Sequence, residues 1–182
     1  IEAVYENIDV KVETFKKIEA VAKPGAILAS NTSGLDIDKM AEATGRPDAV
    51  IGLHFFSPAN VMKLLEVVRG ENTSKETIAT SMKLGRTLNK IAVLSGNAPG
   101  FIGNRMLSGY TQQAGEIILQ GATPYQVDNV LLQFGMPMGP FQMNDLVGLD
   151  LGWRARKLSG MKPEDVPITA RVADRLCELE RF

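Results

Sequence analysis

Between Val10 and Ala22 the apolar residues Val12, Phe15, Ile18 and Ala22 recur at intervals of three and four, and Pro24-Gly25 closes the segment. That spacing predicts an amphipathic helix. Ala26-Ile-Leu-Ala-Ser30 is a short unbroken apolar run, read as a buried strand whose turn is supplied by Asn31-Thr-Ser-Gly34. A second helix is expected from about Ile37 to Ala43, ending near Gly45-Arg-Pro47. Strands are expected from Ala49 to Phe56, stopped by Ser57-Pro58, and from Lys63 to Val68. A further helix over Lys75 to Leu88, with Ile78, Met82 and Leu88 facing inward, leads to a strand at Ile91-Ala-Val-Leu94.

Alternating strands and helices imply an α/β layer with a largely parallel sheet, although the closeness of segments 49–56 and 63–68 admits local antiparallel pairing. After Ser95-Gly-Asn-Ala-Pro-Gly100 the pattern is helical throughout, with stops at Gly121, Gly135 and the pair Pro137 and Pro140. Thr123-Pro-Tyr-Gln126 has the form of a capping box with proline at the first helical position, so a helix is expected to run from there to about Phe134. Two domains follow, residues 1–96 and residues 97–182.

The chain has 182 residues, 45% hydrophobic and 23% charged, an ordinary globular balance. A net charge of -1 gives no reason to expect a nucleic-acid or membrane-surface partner, so any anionic ligand must be held by local features. No apolar run approaches the ~18 residues of a membrane span. The single cysteine, Cys177, excludes an internal disulfide, fits a reducing compartment, and sits on what reads as a helix face without a neighbouring base. The first residues begin inside an apolar run and the last, Arg181-Phe182, inside a helix-like segment, so the chain is expected to be a fragment.

His54 is the sole histidine and lies near the end of an otherwise apolar strand, where ligands collect in open α/β sheets; a lone strand histidine is also commonly structural. In Met62-Lys-Leu-Leu-Glu-Val-Val68 the period of two puts Glu66 on one face with Leu64 and Val68. A carboxylate there needs a partner, and His54 is the neighbouring-strand residue with the same difficulty. The alternative is an edge strand with Glu66 in water. Ser33, in a loop after a strand, is equally readable as a turn or cap residue, and Asn104 as an ordinary polar residue at a helix start. Glu6 and Lys11 are equally readable as solvated charges.

Glu2-Ala-Val-Tyr-Glu-Asn7, Ser30-Asn-Thr-Ser33, Gly52-Leu-His-Phe-Phe-Ser-Pro58, Met62-Lys-Leu-Leu-Glu-Val67, Pro99-Gly-Phe-Ile-Gly-Asn-Arg105 and Met136-Pro-Met-Gly-Pro-Phe141 occur in fixed order along nearly the whole chain. In order and spacing they resemble the 3-hydroxyacyl-CoA dehydrogenases of fatty-acid β-oxidation. The segment from Gly135 to Asp150, followed by Gly152-Trp-Arg154, resembles the multifunctional members fused to an enoyl-CoA hydratase.

The resemblance implies the C-terminal portion of a Rossmann-like NAD-binding domain, followed by an all-helical domain like that of 6-phosphogluconate dehydrogenase. It implies NAD as cofactor, no metal, and a (3S)-3-hydroxyacyl-CoA thioester as substrate. His54 becomes the base that takes the 3-hydroxyl proton while hydride leaves C3 for the nicotinamide, and Glu66 its orienting partner. Ser33 and Asn104 fall on substrate-side positions that bring the two domains together around the substrate. Ala3, Glu6, Lys11, Ser33 and Ser57 fall on the cofactor side, with Ser57 standing where some relatives carry Asn. A homodimer or a hydratase fusion is implied, in the cytoplasm of a bacterium or the peroxisome or mitochondrion of a eukaryote. The Gly-rich pyrophosphate loop of the family is not in the sequence, which fits the expected truncation. Three rival readings are a β-hydroxyacid dehydrogenase, which generally uses a lysine base, a catalytically silent relative like some lens crystallins, and a fragment that functions only as the core of a multifunctional assembly passing acyl-CoA between sites.

Overall fold

The computed structural model describes residues 1–158 and 160–181; the expectation of a helix-like segment at Arg181-Phe182 is not met at Arg181, which follows the last helix, and at Phe182 it lies outside the described residues. The chain forms two compact units, Ile1–Met106 and Leu107–Phe182.

In the first unit, α1 (Ile8–Val21) starts where the Asn7 side chain accepts the N–H groups of Asp9 and Val10, satisfying donors that a helix start leaves unpaired. Phe15 is buried, and Ile18 and Ala22 pack half-buried against the same core, as their spacing predicts. β1 (Leu28–Ser30) and β2 (Val50–Phe55) pair in parallel, with α2 (Ile37–Glu42) in the crossover between them. β3 (Leu64–Arg69) runs antiparallel to β2. Residues 56–63 are too few for the crossover of about a dozen residues that a parallel neighbour needs. α3 (Lys75–Thr87) then carries the chain to β4 (Ile91–Gly96), parallel to β3.

The sheet order is β1-β2-β3-β4, a mixed α/β sheet in which parallel pairs dominate. Glu2 bridges to Ser30 in parallel, which extends the sheet beyond β1. β2 and β3 form its centre: Val50, Ile51, Leu65, Val67 and Val68 are wholly buried. Each such side chain contributes about 1.5–3 kcal/mol of hydrophobic stabilisation.

The buried stripe of α3 is made of small residues, Thr77, Ser81 and Gly85, flanked by half-buried Ile78, Met82 and Leu84. Small residues let the helix lie close on the sheet, since a Cβ at Gly85 would stand 2.7 Å from that of Ala92. Leu88, expected to face inward, is exposed instead. The helix ends at Thr87, so Leu88 is its C-cap and not part of its buried stripe.

The second unit is helical. α4 (Gly103–Leu119) supplies it from Leu107 onward, followed by α5 (Pro124–Phe134), α6 (Pro140–Val147), α7 (Asp150–Leu158) and α8 (Ile168–Glu178). The capping box at Thr123 and Gln126 forms as predicted, and Gly135 closes α5 in the left-handed conformation at φ 109°. α6 begins at Gly139, which has no side chain to cap it. Buried Asp128 of α5 does so instead, accepting the N–H groups of Phe141 and Gln142 at 3.0 Å each. Among the described residues no helix is long and apolar enough to cross a membrane.

Candidate active site

His54 of β2 and Glu66 of β3 are direct partners in the antiparallel ladder, so their side chains leave the sheet on the same face. His54 Nδ1 and Glu66 Oε2 are 2.6 Å apart. His54 is 6% exposed and Glu66 not at all. β3 lies between β2 and β4, which removes the reading of Glu66 as a solvated edge residue. The second carboxylate oxygen, Oε1, accepts the N–H groups of Ile102 at 2.9 Å and Gly103 at 2.8 Å, at the start of α4. A carboxylate that only accepts assigns the Nδ1 proton to the imidazole, and this tautomer leaves the Nε2 lone pair free.

Aromatic rings hold the imidazole in place. Phe56 lies against it with ring centroids 4.3 Å apart, and Phe101 with centroids 5.9 Å apart. Gly103 lets the ring lie there unshifted, because a Cβ at that position would stand 2.7 Å from Phe56 Cζ.

Ser33 is exposed in the loop after β1. The cap of α2 is Asp36, so Ser33 does not serve as its N-cap. Its N–H and Oγ both donate to Glu6 Oε1, at 2.8 Å and 3.1 Å, and Thr32 Oγ1 donates to the same oxygen at 2.6 Å. Asn104 Nδ2 donates to Ser33 O at 3.0 Å. Glu6, Ser33 and Asn104 are thereby joined. Ala3 and Ser57 are exposed, on the N-terminal segment and on the loop after β2.

Lys11 is not a solvated charge, being 1% exposed. Its ammonium lies 3.1 Å from both oxygens of Glu2, 3.2 Å from Val4 O and 3.4 Å from Glu6 Oε2. Glu2, also buried, opens the first of the six blocks but has no role in the sequence reading, even though it stands among Ile1, Ala3 and Val4. The argument that singles out Glu66, a carboxylate in an apolar run needing a partner, applies to it equally. It also accepts from Ser30 Oγ and, at 2.9 Å, from Val4 N.

Cys177, on α8, is buried. Burial, then the charges of Asp150 and Asp174, push its thiol above the ordinary range, which suits packing and not nucleophilic chemistry. The chemistry of the first unit is therefore that of an imidazole with one nitrogen fixed and the other presented near the carboxyl ends of parallel strands β1 and β2, where α/β sheets take their ligands.

The family model for the 3-hydroxyacyl-CoA dehydrogenase NAD binding domain matches residues 1–98, and that for the C-terminal domain of the same family matches residues 100–182. The peroxisomal bifunctional enzymes of Danio rerio and Homo sapiens are each 49% identical over 193 residues, covering 100% of this chain and 27% of the relative. A peroxisomal fatty acid beta-oxidation multifunctional protein of Arabidopsis thaliana is 46% identical over 152 residues, covering 84% of this chain and 21% of its own. The chain thus spans about a quarter of the length of the curated relatives it matches. Among solved structures, 3-hydroxybutyryl-CoA dehydrogenase from Escherichia coli superposes with a TM-score of 0.86 at 33% identity, covering 99% of this chain and 39% of that one. The (S)-3-hydroxybutyryl-CoA dehydrogenase from Ralstonia eutropha gives 0.84 at 35% identity, covering 98% and 64%.

Proposed function

The chain belongs to the 3-hydroxyacyl-CoA dehydrogenase family, and from that premise we propose that it oxidises (3S)-3-hydroxyacyl-CoA to 3-oxoacyl-CoA with NAD, using His54 as general base and Glu66 as its orienting partner. The observation that carries this reading is the buried 2.6 Å contact between His54 and Glu66, which leaves one imidazole nitrogen free.

The residues present fit the nicotinamide side of such a cofactor. Exposed Ser33, Ser57 and the Glu6 carboxylate offer donors and acceptors of the kind that ribose hydroxyls and a carboxamide need; the Ala3 backbone lies on the same N-terminal segment as Glu6, and buried Lys11 would act through its ion pair with Glu6. Bound NAD would supply the acceptor for the electron pair leaving C3.

The remaining work falls to the chain's own side chains. His54 Nε2 takes the proton of the 3-hydroxyl as C3 becomes a carbonyl. The positive charge that the ring acquires is stabilised by Glu66, whose position is in turn fixed by Ile102 and Gly103. In the reverse direction the same ring returns the proton. Asn104, which gives one amide hydrogen to Ser33 O, keeps another for the substrate, and with Ser33 steadies the C3 oxygen and the thioester end. The names of the relatives support placement in peroxisomal β-oxidation as part of a larger bifunctional or multifunctional polypeptide; that its other activity is an enoyl-CoA hydratase, or that the protein is a homodimer, belongs to the proposal. Residues 97–182 are proposed as the substrate and dimerisation domain.

The test is NADH oxidation with acetoacetyl-CoA by the full-length protein, compared with His54→Ala and Glu66→Gln variants shown to be folded by circular dichroism. Both substitutions are expected to cut the rate by about 10²–10⁴. A folded, NADH-binding parent protein with no turnover would overturn the reading.

A further inference from the structure

Glu2 and Lys11 are buried charges that the proposed proton transfer does not use. Burying either alone is costly, so each needs an opposite charge. The arrangement goes beyond one pair. The Lys11 ammonium touches both oxygens of Glu2 and also Oε2 of Glu6, so one cation joins two carboxylates. The other oxygen of Glu6 takes the Thr32 hydroxyl, the Ser33 amide and the Ser33 hydroxyl. The side chain of Glu6 is 41% exposed, and an exposed glutamate keeps its rotamer freedom unless something fixes it. Lys11 does so from the buried side. Ser30 gives Glu2 a second link to the same turn, since its hydroxyl donates to Glu2 and accepts Thr32 N–H at 3.2 Å.

We infer that Glu2 is a positioning residue: it holds Lys11, Lys11 holds Glu6, and Glu6 sets the turn that presents Ser33 to the substrate. The effect on turnover rests on the dehydrogenase reading. The effect on the Ser33 turn rests on the geometry alone.

The experiment uses the full-length protein with Glu2→Gln, and with Glu2→Gln combined with Lys11→Met. Thermal midpoint and amide hydrogen exchange at residues 32–34 are measured for all three proteins. The single variant is expected to melt lower and to exchange at the turn about tenfold faster or more, as a local opening. The double variant leaves no buried charge without a partner, since the Glu6 carboxylate that loses its cation is 41% exposed, and it is expected to recover its midpoint. Its turn should still exchange fast, because Glu6 has lost the ammonium. Exchange at 32–34 that stays at the parental rate in the single variant, or returns to it together with the midpoint in the double one, makes the pair a stability element only and overturns the inference. With acetoacetyl-CoA and saturating NADH, kcat of the Glu2→Gln variant is expected to fall about 10- to 100-fold, the scale of a mispositioned group. An unchanged kcat in an active parent also overturns it. A parent without turnover sinks the dehydrogenase reading instead, and the exchange data still decide whether Glu2 positions the turn.

Discussion

Gly103 donates its backbone N–H to Glu66 Oε1 at 2.8 Å, so the carboxylate that orients His54 also anchors the first turn of α4. With Ile102 and His54, Glu66 serves three buried or half-buried donors. Glu66→Ala strips all three of their acceptor, and each unsatisfied donor costs about 1–3 kcal/mol. Glu66→Gln keeps an oxygen for Ile102 and Gly103. The alanine variant is therefore expected to lose about 3 kcal/mol or more relative to the parent, clearly more than the glutamine variant, in urea unfolding. Equal losses in the two would mean that the contacts to α4 contribute nothing.

The His54 and Glu66 pair was legible because strand periodicity is short-ranged: two residues on either side of Glu66 fix its face, and an apolar face makes a charge conspicuous. The antiparallel pairing of β2 and β3 was legible for a similar reason, since the length of segment 56–63 constrains it. The link from Asn104 to Ser33 joins residues from distant segments, and neither position has a local pattern that points to the other. Lys11 defeated pattern reading differently. On α1 it stands four residues before Phe15, in register with the buried stripe, so the spacing points it inward; what no local pattern shows is its partner, because only the N-terminal segment laid beside β1 brings Glu2 over it. The exposure of Leu88 turns on where one helix ends, which propensity alone leaves loose by a residue or two.

Gly103→Ala puts a Cβ 2.7 Å from Phe56 Cζ. The Phe56 ring must shift, and it packs directly on His54. The variant is expected to stay folded while its kcat with acetoacetyl-CoA drops about tenfold or more, with a smaller change in KM, because the misplaced group is the proton acceptor and not the binding surface. Steady-state kinetics at saturating NADH check this. A parental kcat would show that Phe56 yields without moving the imidazole.

Asp128 caps α6 across sequence, holding the N–H groups of Phe141 and Gln142. Asp128→Ala leaves those donors unpaired next to a glycine that cannot replace the acceptor. A loss of about 1–3 kcal/mol in the helical unit is expected, read by urea unfolding followed through the fluorescence of Trp153. Thr123→Ala, which removes a self-contained and exposed capping box, is expected to lose less, about 0.5–2 kcal/mol. The reverse order would show that Asp128 is a bystander.

Cys177 gives the helical unit a pH dependence with a defined sign. Burial raises its thiol above the ordinary value of 9.0, with Asp150 and Asp174 adding to the rise against Arg156 and Arg154. Below that value the thiol is protonated in folded and unfolded chains alike, and it contributes nothing to the slope. As pH rises past about 9, the unfolded thiol ionises first. The folded state then binds more protons than the unfolded one, so stability falls with pH until the folded thiol also ionises. Cys177→Ala has no such group. Between pH 8 and pH 10.5 the urea midpoint of the parent is expected to drop more steeply than that of the variant, whatever constant offset the missing sulfur introduces. In the same range a thiol-specific reagent should label the native protein only at the rate at which the unit opens, and added urea should speed that labelling. Parallel midpoint curves, or immediate labelling without denaturant, would place the thiol in contact with water and remove the basis of the shift.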